Sequence, residues 1–216
     1  MELLEGIMTL RAIRRFTDEP VSEDEILTCL RAAQQAPSGG NIQPWQFLVI
    51  TDPEKKRSLG AIYAAAYTRY EAAMAGARPT PRDERAAASQ QRTLDASRFL
   101  AEHIGEAPGL VAFLMPNIDM TVHDAEGPMD IGTPYASAYP AVQNFMLAAR
   151  SLGIGTTLTT VFRIRQQEVR DLFEIPERYE IIALVPMGRP AGKFGQAPRR
   201  PVEQVTNWNR FGERRL

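Results

Sequence analysis

The chain has 216 residues, 44% of them hydrophobic, and a formal net charge of −1. That is enough apolar material to bury a core without staples, and the near-neutral balance offers no overall field to nucleic acid or a membrane surface. A single cysteine excludes an internal disulfide framework, and no apolar run reaches the length of a bilayer span.

The first segment, Met1 to Arg11, predicts a short amphipathic helix with Leu3, Leu4, Ile7 and Leu10 on one face. Its charges run from acidic to basic, the reverse of a signal peptide, so the protein is expected in the cytoplasm. Ser22, with Glu25 three residues on, reads as a capping box. It opens a helix whose apolar positions are Ile26, Leu27, Leu30 and Ala33 and which Pro37 ends. Cys29 falls inside this helix as a core thiol. "APSGGNIQPWQFLVI", Ala36 to Ile50, then passes from a loop into a strand.

Asp52 and Pro53 supply the N-cap and first position of the next helix. Residues 75–85 hold two prolines and little apolar anchoring, and read as a loop. A helix over 83–103, a strand at "GLVAFLM" and a loop over 117–133 follow. "PYASAYPAVQNFMLAARSLG" is apolar on most sides and predicts a central helix, with Pro140 as its kink or its true start. "IGTTLTTV" predicts a strand, "RQQEVRDLF" a short helix and "YEIIALVPMG" a last strand. From Arg189 the chain is rich in Pro and Arg and shows no core pattern. About four strands alternating with five or six helices imply one domain, residues 1–216, with helices covering a small sheet.

The usual catalytic groups are missing. His103 closes a helix, and His123 sits with Asp119 and Asp124 in a loop without metal-ligand spacing, so no metal site is assigned. There is no GxSxG elbow and no Walker sequence, and "GIGTTL" lacks the third glycine of a dinucleotide fingerprint. A bound cofactor is therefore expected to carry any reaction.

Three stretches have the chemistry to hold one. Arg11 and Arg14, three residues apart, point one way if the chain turns there, and Arg199 and Arg200 can join them. Such a cluster suits phosphate, although a solvated basic face explains it equally well. In Ser38-Gly39-Gly40-Asn41 the glycines let a flat ligand reach the backbone while Ser and Asn offer polar groups. A plain helix-to-strand turn uses the same residues. "TLTT", with Leu158, Thr159 and Thr160, sets hydroxyls at a strand end or simply follows β-propensity.

In order, "RAIRRF", "APSGGNIQPWQF", "QNFMLAARSLGIGT", "PMGRP" and "RRP" resemble the nitroreductase family of FMN-dependent enzymes, from about Leu4 to Val202. The family's opening, Arg-Arg-Ser-x-Arg-x-Phe, is met here by Leu10-Arg11-Ala12-Ile13-Arg14-Arg15-Phe16, so Leu10 and Ala12 depart from it. The resemblance implies an α+β fold, a three-layer mixed sheet flanked by helices. It also implies a homodimer whose C-terminal arms, residues 189–216, embrace the other subunit. Arg11 and Arg199 would meet the FMN phosphate, with Ala12 in the same motif, and Arg14 the pyrimidine edge. Ser38, Gly39 and Asn41 would meet the ring system, and Leu158, Thr159 and Thr160 would reach it from a strand.

The implied reaction passes a hydride from NAD(P)H through the flavin N5 to a nitroaromatic, quinone or enone by ping-pong exchange, with no catalytic side chain. Tyr63, Tyr67, Tyr70 and Met74 are candidates to face the acceptor, and helix packing is the competing role for the tyrosines. Two alternatives are a specialised flavin chemistry and a flavin-binding or sensory protein without turnover. The first covers reductive dehalogenation and flavin fragmentation. It is disfavoured because residues 65–85 contain Tyr and Glu but no Lys.

Overall fold

A computed structural model describes residues 1–215. Helices α1 (Leu3–Thr9) and α2 (Glu23–Ala33) lead to strand β1 (Gln46–Val49), helices α3 (Pro53–Met74) and α4 (Glu84–His103), and strand β2 (Gly109–Pro116). The hairpin β3 (Thr121–Asp124) and β4 (Gly127–Asp130) follows, then helix α5 (Tyr135–Ser151), strand β5 (Gly155–Thr156), helix α6 (Gln166–Leu172) and strand β6 (Tyr179–Gly188).

Four strands form one sheet in the order β1-β2-β6-β5, each neighbouring pair antiparallel. Its parallel contact comes from the bridge between Ala12 and Thr156. β2 and β6 are buried nearly end to end because helices cover both faces. Their sequences therefore read as unbroken apolar runs, not as an alternation. Val111, Phe113 and Met115 face one layer, with Ile26 and Cys29 of α2 and Phe145 of α5. Leu110, Ala112 and Leu114 face the other, with Leu59 and Tyr63 of α3, Leu100 of α4 and Val169 of α6. A register shift between Phe113 and Leu114 leaves Ile182 as the extra residue of a bulge. Ile182 and Ala183 consequently both belong to the α2–α5 side.

The caps form as their sequences require. Ser22 and Glu25 complete the capping box. Asp52 accepts from the N–H groups of Glu54 and Lys55, both at 2.8 Å. Asp83 caps α4 through the Ala86 N–H. Pro140 lies within α5 and neither starts nor ends it.

Three expectations are corrected. Residues 117–133, read as a loop, contain the β3–β4 hairpin, whose strands are exposed and carry no apolar alternation. The strand expected over 154–161 is confined to Gly155–Thr156. The chain then meets β6 through the Thr157 N–H, which donates to Pro186 O at 3.3 Å, and at the Thr159–Leu184 bridge, and turns away at Val161–Arg165. In α1, Leu3, Leu4 and Ile7 are exposed, and only Leu10, just past its end, packs on the core.

Candidate functional site

The segment after α1 is laid along the β5 edge of the sheet. Ile13 N–H donates to Thr156 O at 2.9 Å, Thr17 N–H to Arg189 O at 2.9 Å, and Ala191 N–H to Arg15 O at 3.0 Å. This close approach requires glycine at two places. A Cβ on Gly155 would stand 2.8 Å from the Ile13 side chain, and one on Gly188 would stand 2.9 Å from Phe16. The arginines of 11–15 are thereby held between the start of the C-terminal tail and α4.

Together these elements enclose a groove of about 730 Å³. Its cations are Arg11, Arg14, Arg15, Arg92, Lys193 and Arg199, and no carboxylate side chain lines it. Arg15 lies flat over the Phe99 ring, 3.7 Å from its centre, which pins it to α4. Arg92 is offered by α4, where Ser89, Arg92, Thr93 and Ala96 recur at helical spacing along the groove.

A second cavity, of about 430 Å³, opens beside the first and shares Arg14 and Thr93 with it. Tyr63, Tyr67, Tyr70 and Met74 of α3 form one wall, Thr157, Leu158 and Thr159 another. Tyr63 is buried and shares a 2.7 Å hydrogen bond with the Thr159 hydroxyl. Burial is the main cause that pushes both the Tyr63 and Tyr67 phenols above their usual range, so they stay neutral. Tyr63 and Tyr67 belong to the core, whereas Tyr70 is 40% exposed at the mouth.

Arg14 is the junction. Desolvation pulls its guanidinium below the ordinary arginine range, and Arg11 adds to that pull, while Tyr63 and Tyr67 oppose it. Among the described residues this half-buried cation has no ion-pair partner. An uncompensated cation of this kind is costly for a fold to keep and marks a candidate place for a ligand.

The expected site residues fall into two groups. Arg11, Ala12, Arg14 and Arg199 line the cationic groove, and Leu158 and Thr159 line the tyrosine-walled cavity. Thr160 lies just outside, where its carbonyl accepts from Arg163 N–H, and Thr157 and Val161 line the cavity in its place. Ser38, Gly39 and Asn41 line neither space. They form a tight turn that follows α2, with Gly40, Asn41 and Gln43 all at positive φ. Ser38 Oγ accepts from Gln43 N–H at 2.8 Å, and Gly39 N–H donates to Ser137 Oγ at 3.2 Å. Trp45, next in the chain, is buried with Ile26, Cys29 and Phe113 and anchors that turn to the sheet. Arg92, Lys193, Val161 and Arg78 also line these two spaces, and the sequence reading did not single them out. Among the described residues no cluster of His, Cys, Asp or Glu is placed to hold a metal ion, and no helix is long and apolar enough to cross a membrane.

The sequence and the fold are both similar to those of known proteins. The model of the nitroreductase family matches residues 7–189. An FMN reductase (NADPH) of Bacillus subtilis is 26% identical over 208 residues, covering 96% of this chain and 74% of that protein. An NADH dehydrogenase of Thermus thermophilus is 30% identical over 206 residues, covering 92% of this chain and 91% of that protein. Among solved structures, an iodotyrosine deiodinase bound to FMN and 3-iodo-L-tyrosine shares the fold. Its TM-score is 0.74 at 22% identity, over 97% of this chain and 100% of that one.

Proposed function

This chain belongs to the nitroreductase family, and on that premise we propose that it is an FMN-dependent oxidoreductase that moves a hydride from NAD(P)H to an electron-poor acceptor such as a nitroaromatic, a quinone or an enone. The observation that carries the reading is the placing of Arg14. It is a half-buried cation without a carboxylate, at the meeting point of a groove lined by cations and a cavity walled by tyrosines. Bound FMN would supply the atom, N5, that takes up and returns the hydride.

The chain's own residues have the remaining tasks. Arg11, Arg92, Lys193 and Arg199 would hold the phosphate, with arginine able to grip it by two parallel hydrogen bonds. Arg92 and Lys193 bring cations that the departure at Leu10 removes. Arg14 would face negative charge at the edge of the ring, in a setting poor in water, where a fixed cation stabilises most. Tyr70 and Met74 would offer the acceptor an apolar, partly aromatic surface, and orientation does the rest.

The Ser38–Asn41 turn lies away from Arg14 on its own chain, so this reading includes a homodimer in which the second copy brings it to the ring. The exposed Leu3, Leu4 and Ile7 of α1, with Trp208 and Phe211 of the tail, are apolar surface that such a partner would cover. Residues 1–216 then act as one unit, with 189–216 as its arm.

The test is direct. The purified protein should be yellow or take up FMN, and anaerobic NADPH or NADH should bleach it. Colourless protein that refuses FMN would refute the reading. A specialised flavin chemistry has the deiodinase fold in its favour, but residues 65–85 still lack a lysine. The open mouth at Tyr70 argues against storage without turnover.

A further inference from the structure

Arg78 lines the tyrosine-walled cavity and has no part in holding a phosphate or a flavin ring in the reading above. It belongs to residues 75–83, the connection between α3 and α4. Its side chain is only 24% exposed, and its guanidinium stands 3.5 Å from Glu71 Oε1. That same oxygen accepts from Arg98 Nε at 2.8 Å. One carboxylate oxygen thus serves two guanidinium groups, and Arg98 holds it the more closely. At 3.5 Å the Arg78 contact is longer than a charge-assisted hydrogen bond, so Arg78 is loosely held and Glu71 stays neutralised if it leaves.

The charge of the cavity has one sign. Arg14 and Arg78 are the two cations on its lining, and no acidic side chain is on it. Tyr70, Met74, Leu94 and Leu158 are on the same lining, and the volume of about 430 Å³ has room for a small ring. Resting on the oxidoreductase reading, we propose that Arg78 reads an anionic group on the acceptor, and that the preferred acceptors are small planar aromatic carboxylates. The carboxylate takes Arg78 from Glu71 while the ring stacks toward Tyr70 and Met74. Glu71 acts as a latch that keeps Arg78 at the cavity until an anion arrives. Arg98 then keeps the latch's charge paired.

The test uses the FMN-loaded enzyme and two matched pairs of probes. Benzoate and benzamide binding is measured by calorimetry, which needs no turnover. Reoxidation of photoreduced enzyme by 4-nitrobenzoate and 4-nitrobenzamide is followed at the flavin absorption band, with no dinucleotide present. Arg78→Gln should weaken benzoate binding and the second-order rate for 4-nitrobenzoate about tenfold or more, the worth of one charged hydrogen-bonded pair. The amides should change less than about twofold, because their only loss is the packing of one side chain. Arg78→Lys should recover part of the difference, as a point charge without the fork. Glu71→Gln should leave benzoate binding equal or tighter.

Equal losses for acid and amide would make Arg78 a scaffold residue and overturn the proposal, as would no loss for either. A rise in the KM for NADPH, with acceptor kinetics unchanged, would assign Arg78 to the donor's phosphate and also overturn it. A wild-type enzyme that neither dinucleotide bleaches would refute the oxidoreductase reading instead. The calorimetric comparison would still stand in that case.

Discussion

Arg14→Met separates a ligand-binding role from a structural one, because the two roles give opposite signs. Arg14 is half-buried, desolvation lowers its pKa, and no carboxylate compensates its charge among the described residues. Removing a charge held under such conditions stabilises a fold when the replacement fills the same space, and methionine is unbranched and adaptable. Burial is partial, so the gain expected for the FMN-free protein is about 1 kcal/mol, the low end for such replacements. In a domain of this size that is a rise of about 2–4 °C in Tm. FMN affinity should move the other way. Losing a charge-assisted hydrogen bond is worth about 1.5–3 kcal/mol, or about ten- to hundredfold in Kd. Thermal unfolding of FMN-free protein and a flavin-fluorescence titration read the two effects independently. A variant that melts lower while binding FMN as tightly as the wild type would refute the reasoning.

Other expectations are as definite. Tyr63→Phe deletes the hydroxyl paired with Thr159 and should cost about 1 kcal/mol by urea unfolding. Tyr63→Phe combined with Thr159→Val should cost less than the sum of the two, since both remove one bond. Additive losses would show that the bond adds nothing. The Cys29 thiol, pushed up to about 12 chiefly by burial and then by Glu25, should resist iodoacetamide at pH 8 until the protein unfolds. Labelling at the rate of a free thiol would contradict its placement. The Glu25 carboxyl is held below its ordinary value first by the Ser22 backbone N–H and then by Arg189. A depressed folded pKa contributes stability above the ordinary carboxylate range, and that stability is lost as pH falls through it. Glu25→Gln should therefore lower stability at neutral pH and flatten the acid limb of the profile, by a small amount because the ion pair is only partly buried and solvent screens it. An acid limb of unchanged slope would refute this.

What was legible in the sequence was whatever physics acts over a few residues. Ser22 with Glu25 and Asp52 with Pro53 cap the helices they announced. The runs at 109–116 and 179–188 were apolar enough to read as central strands. Tyr63, Tyr67 and Tyr70 lie along one wall, as helical spacing requires. The β3–β4 hairpin was missed because its strands are exposed, so no alternation marks them. A turn signal was nevertheless present. Asp124 and Gly127 stand first and fourth, and the Asp124 carboxylate accepts from the Glu126 and Gly127 N–H groups. The strand over 154–161 was read too long because β-propensity says nothing about where a chain must leave the sheet to build a cavity wall. The arginines of 11–15 and Arg199 were found by type, but only the fold brings Arg92 and Lys193 beside them. Arg78 sits in a connection without periodicity and could be placed only by its contacts.

The cavity's composition also bears on how protons accompany the hydride. Its lining holds Arg, Tyr, Thr, Ser, Gln, Met, Leu and Val, and no His, Cys, Asp or Glu. None of these side chains has an ordinary pKa near neutrality, and the two core tyrosines are pushed further from it. The lining thus carries no group that ordinarily titrates in the neutral range, and burial keeps the Tyr63 and Tyr67 phenols neutral. A phenol raised in this way is a poor acid, so Tyr63 positions the Thr159 hydroxyl and does not deliver a proton. On the proposed reading, the lining that this chain supplies leaves water at the open mouth beside Tyr70 as the expected source of the proton that completes reduction of the acceptor. The rate constant for acceptor reduction is accordingly expected to be flat between about pH 6 and 9, with neither limb of a bell. With a neutral acceptor such as 4-nitrobenzamide, the profile reports the protein and the flavin alone. A limb near neutrality that Tyr63→Phe abolishes would show that the phenol does transfer the proton. It would overturn the division of labour in which the chain orients and stabilises while solvent provides the acid.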